Sequence, residues 1–129
     1  MSKKILVIDD EEDILDFVQR VLKDAGYLVF SARDAKEGFS VLNSQKIDLV
    51  LLDIMLPEID GWEILKMMRS SPNLKEIPVA MLTARVDAQD KIIGLKEGAV
   101  DYICKPFTAD QLLHRIQQLF GYLAHNKNE

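Results

Sequence analysis

A chain of 129 residues with 48% hydrophobic, 29% charged and 7% aromatic side chains is sized for one domain with its own core. One cysteine, Cys104, and two separated histidines, His114 and His125, exclude a disulfide scaffold and a structural zinc cluster. No apolar run approaches the ~20 residues of a membrane helix, and a net charge of −5 argues against nucleic acid as a direct partner.

The first apolar run, Ile5-Leu6-Val7-Ile8, follows Met1-Ser2-Lys3-Lys4 and is too short for a secretory signal, so the cytoplasm is the expected setting. It is continuous rather than alternating, as a strand buried on both faces requires. Five consecutive acids follow, Asp9-Asp10-Glu11-Glu12-Asp13, a composition favoured in the first turn of a helix. Ile14, Val18, Val21, Leu22 and Ala25 then fall on one helical stripe, and Gly26 supplies the stop. Leu28-Val29-Phe30 predicts a second strand, and Asp34 with Glu37 the start of a second helix. Leu49-Val50-Leu51-Leu52 predicts a third strand, and Asp60 with Glu63 a third helix. Val79-Ala80-Met81-Leu82 predicts a fourth strand, after which a fourth helix is closed by Gly98. Tyr102-Ile103-Cys104 predicts the fifth strand. Thr108 with Gln111 forms a capping box for a fifth helix, whose stripe is Leu112, Ile116, Leu119 and Leu123. Residues 1–123 therefore read as one domain, and residues 124–129 as a polar tail or the start of a linker, with His125 to Glu129 polar enough to be loose.

Strict alternation of strand and helix implies an α/β fold with a doubly wound, five-stranded parallel sheet, for which the common order is 2-1-3-4-5. Such sheets bind ligands beyond the carboxyl ends of their strands. The residues found there are Asp9 and Asp10 after the first strand, Asp53 after the third, Thr83 after the fourth and Lys105 after the fifth. The second strand ends in Ser31, at the sheet edge. Taken singly, the acids suit a helix start, Asp53 a turn before Pro57, and Lys105 a surface charge before Pro106. Together they put three carboxylates, a hydroxyl and an ammonium in one crevice. Carboxylates so close require a raised pKa or a cation. An oxygen-only donor set with open positions suits Mg²⁺. A metal, a lysine and a hydroxyl around a central carboxylate suit phosphoryl transfer, with Asp53 as nucleophile giving an aspartyl phosphate. No G-x-x-x-x-G-K-S/T or G-x-G-x-x-G loop is present to cradle a nucleotide, and acids stand where a flavin mononucleotide binder would carry a Ser/Thr/Gly-rich loop.

Val7-Ile8-Asp9-Asp10-Glu11, Leu52-Asp53-Ile54-Met55-Leu56-Pro57 with Asp60-Gly61, Leu82-Thr83-Ala84, and Gly98-Ala99-Val100-Asp101-Tyr102 leading into Lys105-Pro106-Phe107 resemble the response-regulator receiver domain of two-component signalling. The resemblance covers roughly residues 3–123 and implies a flavodoxin-like, CheY-like (βα)5 fold. It implies that Asp53 accepts a phosphoryl group from a histidine kinase or phosphotransfer protein. Asp10, Asp53 and the Met55 carbonyl would bind Mg²⁺ directly, with Asp9 acting largely through water. Lys105 would pair with the phosphoryl group and Thr83 would hydrogen-bond to it. Tyr102, otherwise a core aromatic, becomes a switch residue whose ring turns inward as Thr83 moves. The effector would meet the fourth helix, fifth strand and fifth helix, and the Lys105-Pro106 bond would be cis. Such a domain is a switch rather than an enzyme, limited to its own phosphorylation and slow autodephosphorylation.

Relatives that dimerise pair charges across their last helices. Lys91, Asp101 and Arg115 fit that pattern, while Gln111 stands where those relatives carry Glu, so a monomer and a phosphorylation-dependent dimer both remain open. Met55 and Arg85 flank the approach of hydrolytic water, and the apolar Met55 predicts a long-lived phosphoryl group. The alternative enzyme class, an Mg²⁺-dependent phosphohydrolase acting through Asp53 on a separate substrate, would normally carry a D-x-D pattern, which Asp53-Ile54-Met55 lacks. A phosphorylation-independent interaction domain is disfavoured by the full set of acids, Thr83 and Lys105.

Overall fold

A computed structural model describes residues 2–84 and 98–127. Strands β1 (Lys4–Ile8), β2 (Leu28–Ala32), β3 (Leu49–Asp53), β4 (Val79–Thr83) and β5 (Asp101–Cys104) form one parallel sheet in the order β2-β1-β3-β4-β5. Helices α1 (Glu12–Asp24), α2 (Ala35–Ser44) and α3 (Gly61–Arg69) and a C-terminal helix (Ala109–Lys127) complete the described elements. The expected fourth helix lies outside the described residues.

The continuous apolar runs serve two cores. Leu6, Ile8, Val50, Leu52, Val79 and Met81 face α2 and α3 with Leu42, Ile64, Leu65 and Met68. Their neighbours Ile5, Val7, Leu49, Leu51, Ala80 and Leu82 face α1 and the C-terminal helix with Val18, Leu22, Leu112 and Ile116. Successive strand residues point to opposite faces, and both faces are covered, which is why polar alternation is missing from these strands.

Local signals set the helix ends. Asp34 and Asp60 accept hydrogen bonds from the Glu37 and Glu63 amides, at 2.9 and 3.0 Å. Thr108 and Gln111 close a reciprocal capping box at 2.9 and 3.1 Å. Gly26, at φ 98, ends α1 in a Schellman motif: its amide reaches the Lys23 carbonyl while that of Tyr27 reaches Leu22.

One expectation needs correction. The buried stripe of α1 is Leu15, Val18 and Leu22; Ile14 and Val21 flank it half-buried, and Ala25 is exposed at the C-cap. The sequence stripe was centred one position off, on the flank of the true face. The C-terminal helix runs on to Lys127. Ala124 to Lys127 contain neither Gly nor Pro to stop it. No helix among the described residues is long and apolar enough to cross a membrane.

Candidate functional site

Where α1 and α3 start and β5 ends, the sheet's carboxyl edge gathers polar groups. Asp9, just past β1, is fully buried, and its amide donates to the Ala32 carbonyl at 3.0 Å. Its Oδ1 accepts from the Glu11 amide at 2.9 Å, which bends the chain into α1 and leaves Asp10 exposed. Asp53, the last residue of β3, is only 4% exposed, and its Oδ1 accepts from the Met55 amide at 3.3 Å. Thr83 ends β4 and is also buried. Its carbonyl accepts from the Lys105 amide at 2.7 Å, tying the β4 and β5 ends together ahead of a cis Lys105-Pro106 bond.

Between β3 and α3 the chain turns sharply. Ile59 donates to the Pro57 carbonyl at 2.7 Å around Glu58, which has φ 65. Gly61 then donates to the Ile54 carbonyl at 2.9 Å. A Cβ on Gly61 would collide with the Asp53 carbonyl oxygen and lie 2.9 Å from Ile54 Cα, so only glycine lets α3 begin this close to Asp53.

The electrostatics follow from this crowding. Lys105 Nζ lies 2.6 Å from Asp9 Oδ2, 3.5 Å from Glu11 Oε1 and 3.6 Å from Asp53 Oδ1. Burial opposes the lysine's charge, but contact with Asp9 and the charges of Asp53, Asp9 and Glu11 outweigh it and push its pKa up. Asp53 moves the other way in effect: burial, then the Asp9 charge and more weakly that of Asp10, raise its pKa to about 6 against the pull of Lys105 and the Met55 amide. One ammonium thus faces more carboxylates than it neutralises. Asp9, Asp10 and Asp53 each offer an oxygen within 4.8 Å of the others, and this all-oxygen, charge-deficient set fits a hard divalent cation such as Mg²⁺.

The sequence profile of the response regulator receiver domain matches residues 5–117, the span that carries every one of these groups. The chain belongs to that receiver-domain family. The alkaline phosphatase synthesis transcriptional regulatory protein PhoP of Bacillus subtilis is 41% identical over 119 residues, covering 92% of this receiver and 49% of PhoP. The chain therefore spans about half the length of that curated relative. Among solved structures, the chemotaxis protein CheY4 of Vibrio cholerae superposes with a TM-score of 0.87 at 31% identity, covering 92% of this chain and 98% of that one. NtrX from Brucella abortus gives 0.90 at 32% identity, with 99% of this chain matched to 29% of that one.

The receiver brings Asp9, Asp10, Asp53, Thr83 and Lys105 to one edge, as the strand ends predict. Met55 donates its amide to Asp53 while its side chain stands 78% exposed at the mouth. Tyr102 is only 3% exposed, its ring tilted against Trp62 at 6.3 Å between centroids, so its inward position is already occupied in this structure. Asp101 and Arg115 pair with each other inside one chain, at 2.6 and 3.0 Å, and Arg115 also donates to the Tyr102 carbonyl at 2.6 Å. Gln111 is engaged in the capping box with Thr108. Arg85 and Lys91 lie outside the described residues.

Three contributors escape sequence reasoning. Glu11 reads as one acid of a run and of the first resemblance motif, with no role assigned, yet it reaches Lys105. Gly61 enters the sequence reading only within the Asp60-Gly61 pair of the family resemblance, with no role assigned, yet it sets the distance between α3 and Asp53. Arg69 carries no sequence signal, yet its guanidinium donates to the carbonyls of Lys75, Ile77 and Gly98 at 3.0, 2.8 and 2.9 Å, pinning the approaches to β4 and β5.

Proposed function

We propose that this receiver takes a phosphoryl group onto Asp53, from a histidine kinase, a phosphotransfer protein or a small donor such as acetyl phosphate. The observation that carries the proposal is the position of Asp53: buried at the end of the central strand, grouped with Asp9 and Asp10, and 3.6 Å from Lys105. An Asp53 carboxyl with a pKa of about 6 is mostly ionised at neutral pH and more basic than an ordinary aspartate, which favours it as a nucleophile. Asp53 attacks phosphorus, and the bond to the donor breaks with the electron pair leaving on the donor, as acetate when the donor is acetyl phosphate. Mg²⁺, held by Asp10, Asp53 and the Met55 carbonyl with Asp9 behind them, would neutralise the gathered carboxylates and the transferred charge. Lys105 pairs with the new phosphoryl oxygens, and the Thr83 hydroxyl donates to them.

The new group adds about −1.5 to −2 charge beside Lys105. Thr83 and Lys105 are joined through the backbone at the β4 and β5 ends, so drawing both toward the phosphoryl group shifts the strand that carries Tyr102. The output surface is then β5 and the C-terminal helix, together with the fourth helix expected from the sequence, with Tyr102 reporting the change. The receiver, residues 1–123, works in the cytoplasm as a switch whose chemistry is confined to its own phosphorylation and slow hydrolysis. It is a monomer or a phosphorylation-dependent dimer and contacts neither nucleic acid nor membrane itself. An output domain of the kind implied by the name of the transcriptional regulatory protein PhoP would supply any such contact.

Incubation with acetyl phosphate should label the protein stoichiometrically, only with Mg²⁺, and Asp53→Asn should abolish the label. Steady turnover of a generic phosphate ester without a stable label would instead favour a phosphohydrolase.

A further inference from the structure

We propose that Glu11 is a positioning residue that sets which phosphoryl donors the pocket accepts, by engaging the Lys105 ammonium and adding a carboxylate at the mouth. The proposal rests on Asp53 being the phosphoacceptor. Glu11 occupies the N-cap of α1, with φ −89 and ψ 113, and makes no side-chain capping bond. Glutamate is a poor choice for a position that favours Ser, Thr, Asp or Asn. Its side chain turns to Lys105 Nζ at 3.5 Å, and its amide is fixed to Asp9 Oδ1 at 2.9 Å. The side chain of Glu11 is 63% exposed, whereas Asp9 is fully buried and Lys105 is 11% exposed. Glu11 therefore stands on the solvent side of the lysine, at the open side of the pocket.

Two consequences follow for the transfer step, in which Asp53 forms the new bond to phosphorus and the donor's leaving group departs with the electron pair. Glu11 competes with phosphoryl oxygens for Lys105, and it repels donors in proportion to their charge. Acetyl phosphate is a dianion at neutral pH and loses acetate. Phosphoramidate is a monoanion whose nitrogen is already protonated, and it loses neutral ammonia. An exposed carboxylate is worth about fivefold at most against the dianion. Because the energy scales with donor charge, the same carboxylate is worth only about twofold against the monoanion.

The test compares wild type, Glu11→Gln and Glu12→Gln for Mg²⁺-dependent phosphorylation by each donor at low ionic strength. Glu12 is an acid of the same run that pairs with Arg33 at 3.4 Å instead. Glu11→Gln should raise kcat/KM for acetyl phosphate about fivefold through a lower KM, and for phosphoramidate about twofold. The difference should shrink as salt is added, and Glu12→Gln should leave the donor ratio unchanged. An unchanged ratio in Glu11→Gln, an equal gain with both donors, or the same shift in Glu12→Gln overturns the role of Glu11. Failure of wild type to label, or labelling of Asp53→Asn, overturns the phosphoacceptor assignment beneath it.

Discussion

The two ends of the sheet are made by the same five strands and treat polar groups in opposite ways. At the amino end, Asp48 Oδ2 accepts from the Lys4 amide at 2.8 Å, and Lys4 Nζ reaches Gln45 at 3.3 Å. Those contacts are half-exposed and carry no excess charge. At the carboxyl end stand Asp9, Asp53 and Thr83, which are the buried polar side chains among the described residues. One end satisfies its polar groups locally; the other gathers carboxylates around a single lysine. Charge stored without full compensation marks a functional edge, because a cation or a phosphoryl group can relieve it.

The sharpest contrast between the ends is steric. Gly61→Ala would drive a Cβ into backbone at Asp53 and Ile54, and neither can move without shifting β3, so a loss of roughly 4 kcal/mol in urea unfolding is expected. Gly98→Ala, ahead of β5 at the amino end, meets side chain rather than backbone, Arg69 Nε at 2.8 Å, besides its φ of 101. About 1–2 kcal/mol is expected there. Equal losses at the two glycines would erase the distinction.

Next in size is the lysine. Lys105→Met leaves Asp9 and Asp53 buried without their cation, for an expected loss of about 3 kcal/mol in EDTA. Lys4→Met, at the opposite end, should cost under about 1 kcal/mol. A Lys105 variant as stable as wild type without metal would mean that the pocket's charge is already balanced.

Removing a carboxylate should have the opposite sign. Asp53 titrates near 6 in the folded protein, above the ordinary 3.8, so its ionisation opposes folding. Stability from this group is intact below pH 4 and lost as pH rises through 6. Asp53→Asn should therefore stabilise the metal-free protein by roughly 2–3 kcal/mol at pH 7, and by almost nothing at pH 4. Asp48→Asn at the amino end should give no gain. Unfolding curves at the two pH values measure both, and a gain for Asp53→Asn that ignores pH would sink the argument.

This asymmetry was half legible in the sequence. Strand identity follows from uninterrupted apolar runs such as Val79 to Leu82, strand order from the common doubly wound arrangement of five such strands, and the edge residues from asking what comes after each run. Capping by Asp34, Asp60 and Thr108 is local, so spacing finds it. The pairing of Glu11 with Lys105 and the bridge from Arg69 to Gly98 join residues far apart along the chain. Periodicity carries no signal for such pairs. The face of α1 slipped to Ile14 and Val21 because several apolar residues on adjacent positions fit a 3.6-residue period almost equally well.

The smallest expected effect concerns the lifetime of the phosphoryl group at the carboxyl edge. Met55 is held by its amide to Asp53, while its thioether side chain stands exposed beside the pocket. A side chain without a donor or an acceptor of useful strength cannot orient an attacking water. Met55→Asn places an amide there, on the same backbone and with no change in charge. Decay of the purified phosphoprotein should accelerate by about threefold to tenfold, equivalent to roughly 1 kcal/mol of barrier. Because Met55 packs against solvent, unfolding stability should stay within about 0.5 kcal/mol. A decay rate unmoved by the amide would show that Asp53 and its buried neighbours, rather than the exposed rim, set how long the signal lasts.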